Sequence, residues 1–210
     1  FGNIYAGFLA RSMGVPIRRL ILATNENNVL EEFFTTGIYR PRSAADTLAT
    51  SSPSMDISKA SNLERFIWAL LGPEAFAQRW SELESTGTLD LRDQLPRLGE
   101  DFGFVAGTSS HADRLEAIRS VKERSGRLID PHTADGVTVA LRTMEPGFPT
   151  LVMETAKAAK FPQTVAEALG TEPETPAVIA DLLAQPQKVE TIDNEEAPLR
   201  HLIEKRALTI

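Results

Sequence analysis

The chain has 210 residues and a net charge of -7. That is enough for one sizeable core, and the acidic balance argues against non-specific nucleic-acid binding, which needs a basic face to displace counterions. Its 42% hydrophobic and 24% charged residues are ordinary for a soluble globular protein. No apolar run reaches the ~20 residues of a membrane span, and the absence of cysteine excludes disulfides and thiolate chemistry and fits a cytoplasmic protein.

The chain opens as though inside a longer unit, its first residues reading as the back half of a glycine-rich loop. Gly2 and Asn3 sit where such a loop hands free N–H groups to a helix start, a seat for phosphate. Ile4, Tyr5, Phe8, Leu9 and Met13 recur at helical spacing, Gly14 closes the helix, and Leu20 to Ala23 reads as a buried parallel strand. Asn28 with Glu31 predicts a capped helix ended by Gly37. Residues 38 to 60 form a loop with little periodicity.

Helical pattern returns at Leu63 to Leu71, and Pro73 starts another helix carrying Phe76 and Trp80. Phe102 to Ala106 suits a strand, and Ser110 with Asp113 caps a helix through Leu115, Ile118 and Val121. Asp130-Pro131 is an N-cap followed by a first-turn proline. Thr150 to Met153 reads as a second parallel strand. Helices follow at Pro162 to Leu169, stopped by Gly170, at Pro176 to Leu183, and at Leu199 to Leu208. Strands separated by long helical stretches imply an α/β fold, a parallel sheet with helices on its faces. Residues 38–127 are expected to form a mostly helical insertion between an α/β start, 1–37, and its remainder with the C-terminal helices, 128–210.

FGNIYAG, ATNENNVLEEFFTTG, SSPSMDISKASNLERF, DPHTADGV and ETAKAAKF stand in this order along nearly the whole chain. Together they resemble successive motifs of threonine synthase, a fold type II pyridoxal-phosphate enzyme, in its C-terminal part. The resemblance implies conversion of O-phospho-L-homoserine and water to L-threonine and phosphate on pyridoxal 5'-phosphate. Departures are Leu63 where relatives carry Phe, and Lys157-Ala158 where many place His-Pro before Ala-Lys-Phe.

In open parallel sheets ligands gather beyond the carboxyl ends of the strands. Thr24 and Asn25 follow the first strand; taken alone they read first as an ordinary polar turn, and their hydroxyl and amide groups are also candidates to face a substrate or cofactor. By resemblance, Gly2 and Asn3 belong to the cofactor's phosphate cradle and Thr155 partners the pyridine nitrogen. A neutral hydroxyl there leaves the ring nitrogen largely unprotonated, unlike a carboxylate. Asn62 and Arg65 are candidates for the substrate phosphate or carboxylate, as amide and guanidinium donors suit such groups; the alternative is a helix cap and a solvated face. Lys157 is left without a catalytic role.

His111, His132 and His201 show no metal spacing. A hydrolase triad assembled from Ser54, His132 and Asp130 lacks a nucleophile elbow, and Asp130 with His132 better serves a helix start. None of the lysines 59, 122, 157, 160, 188 and 205 lies in the family's Schiff-base motif. That lysine belongs to an upstream part, so the polypeptide alone is expected to be inactive, its partner being the N-terminal part of the same enzyme. Two alternatives remain, another fold type II lyase and a non-catalytic assembly or regulatory module. Loss of partner strands would leave an apolar sheet edge, so self-association is expected.

Overall fold

The computed structural model describes residues 1–207 and divides into two compact units, Phe1–Glu174 and Thr175–Ile210. In the first unit, helix α1 (Gly2–Ser12) leads to strand β1 (Leu20–Thr24), helix α2 (Val29–Thr36) and strand β2 (Ile38–Tyr39). Helices α3 (Leu63–Leu71) and α4 (Pro73–Thr86), strand β3 (Leu89–Asp90) and helix α5 (Leu95–Glu100) follow. Strand β4 (Phe104–Thr108) and helices α6 (His111–Ser125), α7 (Pro131–Thr143) and α8 (Pro162–Leu169) complete it.

β1 and β4 pair in parallel, from Leu20 opposite Phe104 to Thr24 opposite Thr108. β2 and β3 form a short antiparallel pair. Helices pack on the parallel pair, α1, α2 and α7 on β1 and α2, α5 and α7 on β4. This is the α/β fold expected. Within the 38–127 stretch read as a helical insertion, α3 to α5 are the excursion, and the chain returns to the sheet at β4.

The expected strand Thr150–Met153 is not one. It has no strand partner, and Leu151 and Met153 are largely exposed. An apolar run becomes a strand only where a neighbour takes up its backbone groups, and here the partner of β1 is Phe104–Thr108 instead.

Aromatic packing builds the main core. Phe8, Phe34, Phe66 and Phe104 surround one another, with Phe34 and Phe104 rings 4.6 Å apart and Phe66 edge-on to Phe104 at 4.9 Å. Gly107 lets α7 approach β4, since a Cβ there would lie 2.9 Å from Val139 Cγ1. Gly37 ends α2 at φ +75 and rests against the Arg92 backbone, so its lack of a side chain is needed twice over. Asn28 does not cap α2 as expected. Its amide instead donates to the Glu31 carboxylate at 3.2 Å and its carbonyl accepts from Arg42 at 2.7 Å.

α1 runs antiparallel to β1. Arg11, near its end, donates to Asp101 O beside the start of β4, and Gly7 lies against Leu20. The first turn of α1 therefore points toward the carboxyl end of the sheet. The second unit carries α9 (Ala177–Leu183) and α10 (Glu196–Arg206), neither with a buried residue, and an Arg200–Glu196 ion pair of 2.6 Å along α10. Leu208, the expected end of the last helix, lies outside the described residues.

Candidate active site

Beyond the carboxyl ends of β1 and β4 lies a buried polar cluster. Thr24 is buried, its hydroxyl within 3.2 Å of the Thr108 hydroxyl and 3.3 Å of Gly107 O. Asn25 has no exposed surface. Its carbonyl accepts from Asn27 N–H at 2.9 Å, and its amide nitrogen reaches Thr50 Oγ1 at 2.8 Å and Asp56 Oδ1 at 2.9 Å. Asn27 exchanges hydrogen bonds with the Leu48 backbone, and Asp56 Oδ2 accepts from Thr50 N–H. These bonds clip residues 47–56 over the strand ends. Thr24 and Asn25, expected to face a substrate, hold hydrogen bonds within the protein, Thr24 with Thr108 and Gly107 and Asn25 with Thr50 and Asp56.

Arg114 sits at the centre of the cluster with no exposed surface. Its Nε donates to Asp135 Oδ1 at 2.8 Å, and its two terminal nitrogens reach Glu26 Oε2 at 2.8 Å and Ser51 Oγ at 2.5 Å. One side chain of α6 thus ties the segment after β1, the 47–56 clip and α7. Burial pushes the Asp135 carboxyl up, opposed by Arg114 and by the nearby Ser52 and Ser109 hydroxyls. Neither hydroxyl makes a well-formed bond to Asp135 Oδ2, which stands unpartnered among the described residues.

Ser51 Oγ also lies 2.8 Å from His111 Nδ1, and His111 Nε2 lies 2.9 Å from Glu167 on α8. A cavity of about 590 Å³ opens beside Ser51, and a hollow of about 550 Å³ on the other side of the clip is lined by Arg42, Asp56 and Lys59. Asp130 caps α7 as expected, accepting from His132 N–H. His132 Nε2 accepts from Ser54 N–H at 3.0 Å, which places the ring proton on Nδ1, donating to Asp130 Oδ1 at 2.8 Å. Because Ser54 meets His132 through its backbone, the triad reading has no geometric basis.

Gly2 and Asn62 come together: a Cβ on Gly2 would lie 3.2 Å from the Asn62 amide nitrogen. Both Gly2 and Asn3 are exposed in the first turn of α1, which no side chain caps. Unclaimed first-turn N–H groups beside an amide donor fit a phosphate group. Arg65 is exposed on α3. Thr155 is exposed in the segment after Met153, and Lys157 pairs with Glu154 at 2.7 Å.

The reading of the sequence missed Arg114 and Asp135. The available signal was an arginine facing the apolar side of the helix formed by Leu115, Ile118 and Val121, and an aspartate one turn inside the next helix.

Residues 133–203 match the family model described as "Threonine synthase, C-terminal". Threonine synthase of Methylobacillus glycogenes is 49% identical over 207 residues, covering 97% of this chain and 43% of that protein. The Corynebacterium glutamicum enzyme is 49% identical over 210 residues, with the same coverage of 97% and 43%. A crystal structure of threonine synthase from Brucella melitensis, with pyridoxal phosphate bound, superposes with a TM-score of 0.85 at 35% identity, covering 98% of this chain and 43% of that one. The chain is similar to threonine synthases along nearly its whole length. It spans less than half the length of the threonine synthases it matches, and corresponds to their C-terminal part. The ordered motifs and the fold agree across nearly its full length.

Proposed function

We propose that this chain is the C-terminal part of a cytoplasmic threonine synthase, a carbon–oxygen lyase acting on phosphate. It would convert O-phospho-L-homoserine and water to L-threonine and phosphate with pyridoxal 5'-phosphate. The observation that carries the reading is the joint match in sequence and fold, at up to 49% identity and over 97% or more of the chain, to threonine synthases, one of them pyridoxal-phosphate bound.

Bound pyridoxal phosphate supplies an electron sink for amino-acid chemistry. The N–H groups at Gly2 and Asn3 would hold its phosphate, and the Thr155 hydroxyl would face its ring nitrogen. Asn62, beside Gly2, and Arg65 would orient the substrate's anionic groups. Asn25 would shape the wall by holding the 47–56 clip and Thr24 by tying β1 to β4. In this division residues 1–37 and 128–210 carry the cofactor side, and within 38–127 the helical excursion α3 to α5 precedes the return to the sheet at β4.

The chain alone should be inactive. A Schiff-base lysine is normally deprotonated by desolvation or a neighbouring cation, and all six lysines here are exposed. The test supplies the chain with the lysine-bearing N-terminal part of a relative and pyridoxal phosphate, and measures phosphate release from O-phospho-L-homoserine. Release is expected from the mixture and not from the chain alone. Release by the chain alone, or none from a mixture that forms a complex, would overturn the reading.

A further inference from the structure

Ser51 is held in a way that fixes where its proton lies. Its Oγ accepts from the Arg114 guanidinium at 2.5 Å, and a guanidinium only donates, so the hydroxyl proton is left for His111 Nδ1 at 2.8 Å. With Nδ1 accepting, the imidazole proton sits on Nε2 and donates to Glu167 at 2.9 Å. Hydroxyl, imidazole and carboxylate thus form one chain in which each proton points toward a base, the arrangement that activates a serine. Ser54, by contrast, meets His132 only through its backbone N–H. Ser51 and Glu167 line the cavity of about 590 Å³, and the His111 side chain is 44% exposed, so the hydroxyl and its base are open to a small molecule. Pro53, Phe161 and Pro162 give the cavity an apolar wall beside Ser51, and Lys160 adds an exposed ammonium.

We propose that Ser51 is a nucleophile activated by His111 and Glu167, and that the chain hydrolyses small carboxylic esters at this cavity. Ser51 Oγ keeps one lone pair on Arg114 and uses the other to attack the ester carbonyl carbon, while its proton passes to His111 Nδ1. The bond from that carbon to the alcohol oxygen then breaks, and His111 returns the proton to the departing alkoxide. Water, deprotonated by the same nitrogen, attacks the acyl-Ser51 carbonyl; the bond from Oγ to the acyl carbon breaks, the acid leaves and the hydroxyl is restored. Arg114 stabilises charge on Oγ, and the Lys160 ammonium offers positive charge to the carbonyl oxygen. Glu167 acts through His111, holding the ring and balancing the imidazolium. This chemistry uses neither pyridoxal phosphate nor an upstream lysine, so it stands apart from the function proposed above.

The test treats the chain with diisopropyl fluorophosphate, which Oγ would attack at phosphorus with loss of fluoride, and maps the adduct by peptide mass spectrometry. A single label on Ser51 is expected, with hydrolysis of p-nitrophenyl acetate lost in step with labelling. S51A should abolish both. Because Ser51 also partners Arg114, variants at the exposed positions of the chain supply a check that spares the fold, followed by circular dichroism. H111A is expected to slow labelling about a hundredfold or more, the usual contribution of a general base. Free imidazole should restore part of that rate, which a purely structural His111 would not allow. E167Q should slow labelling about tenfold and E167D less, since a charged partner makes the stronger hydrogen bond. Label on residues other than Ser51, an unchanged rate in folded H111A, or a loss in H111A that imidazole does not repair, would overturn the proposal. Ester hydrolysis in a chain that makes no threonine with its N-terminal part would refute the proposed function and leave this activity standing.

Discussion

Arg114 shows how much of the candidate site depends on one side chain. Its guanidinium faces Glu26 and Asp135, two carboxylates that would repel each other across the strand ends if it were absent. A buried ion pair adds little net stability over apolar packing, but removing one partner strands the other's charge. Arg114→Met keeps most of the volume and is expected to destabilise the fold by about 3–5 kcal/mol. Adding Asp135→Asn to Arg114→Met should recover part of that loss, because it neutralises the orphaned carboxyl. Urea unfolding of both variants checks this. A loss below about 1 kcal/mol for the single variant would mean that Arg114 does not hold the cluster. At this scale the sequence was least legible: Arg114 and Asp135 lie 21 positions apart on different helices, and each alone reads as a surface residue. Asn62 beside Gly2 is likewise a meeting that only packing of α3 on α1 creates.

At the scale of elements, local chemistry was legible wherever it acts within a few residues. Ser110 and Asp113 form a reciprocal capping box on α6, and Gly170 closes α8 in the left-handed conformation, both as read from the chain. The strand expected at Thr150–Met153 failed because pairing is not local: that run has the apolar character, whereas Phe104 to Thr108, overlapping the strand expected at Phe102–Ala106, has the partner. The start of α7 gives a prediction with a sign. Burial raises the Asp130 carboxyl, but hydrogen bonds from the His132 ring, Thr133 and His132 N–H outweigh it and hold the group below the usual carboxylate value. Below that usual value the unfolded chain takes up the proton first. The stabilisation from Asp130 is therefore complete above about pH 3.8 and is lost as pH falls through the lowered folded value. Asn is as good an N-cap as Asp, so Asp130→Asn should cost only about 1 kcal/mol near neutrality, the difference between charged and neutral acceptors. Its stability should fall less steeply than that of the unaltered chain between pH 4 and 2. Equal slopes in thermal melts across that range would refute the assignment.

For the molecule as a whole, what matters is how little sheet there is for so much helix. A parallel sheet is normally covered on both faces and built of several strands, yet the first unit holds a parallel pair alone. Around its α7 side the chain displays Leu141, Met144, Phe148, Leu151 and Met153, each about half exposed or more, while Val152 packs on Gly136. Large apolar side chains left exposed in such number fit a face built to meet another surface. The relatives extend well beyond the matched part, so their remaining length is a natural cover. Without such a cover the chain should self-associate. Sedimentation is expected to show mass increasing with concentration, accompanied by binding of a hydrophobic dye. Leu151→Lys with Met153→Lys, both at highly exposed positions with no core contact to lose, should shift the chain toward monomer and reduce dye binding while leaving the helical signal unchanged. The remaining part of a relative, added to the unaltered chain, should have the same two effects by burying the face instead of charging it. A single monomeric species at all concentrations, with no dye bound, would show that the face is already satisfied within the chain.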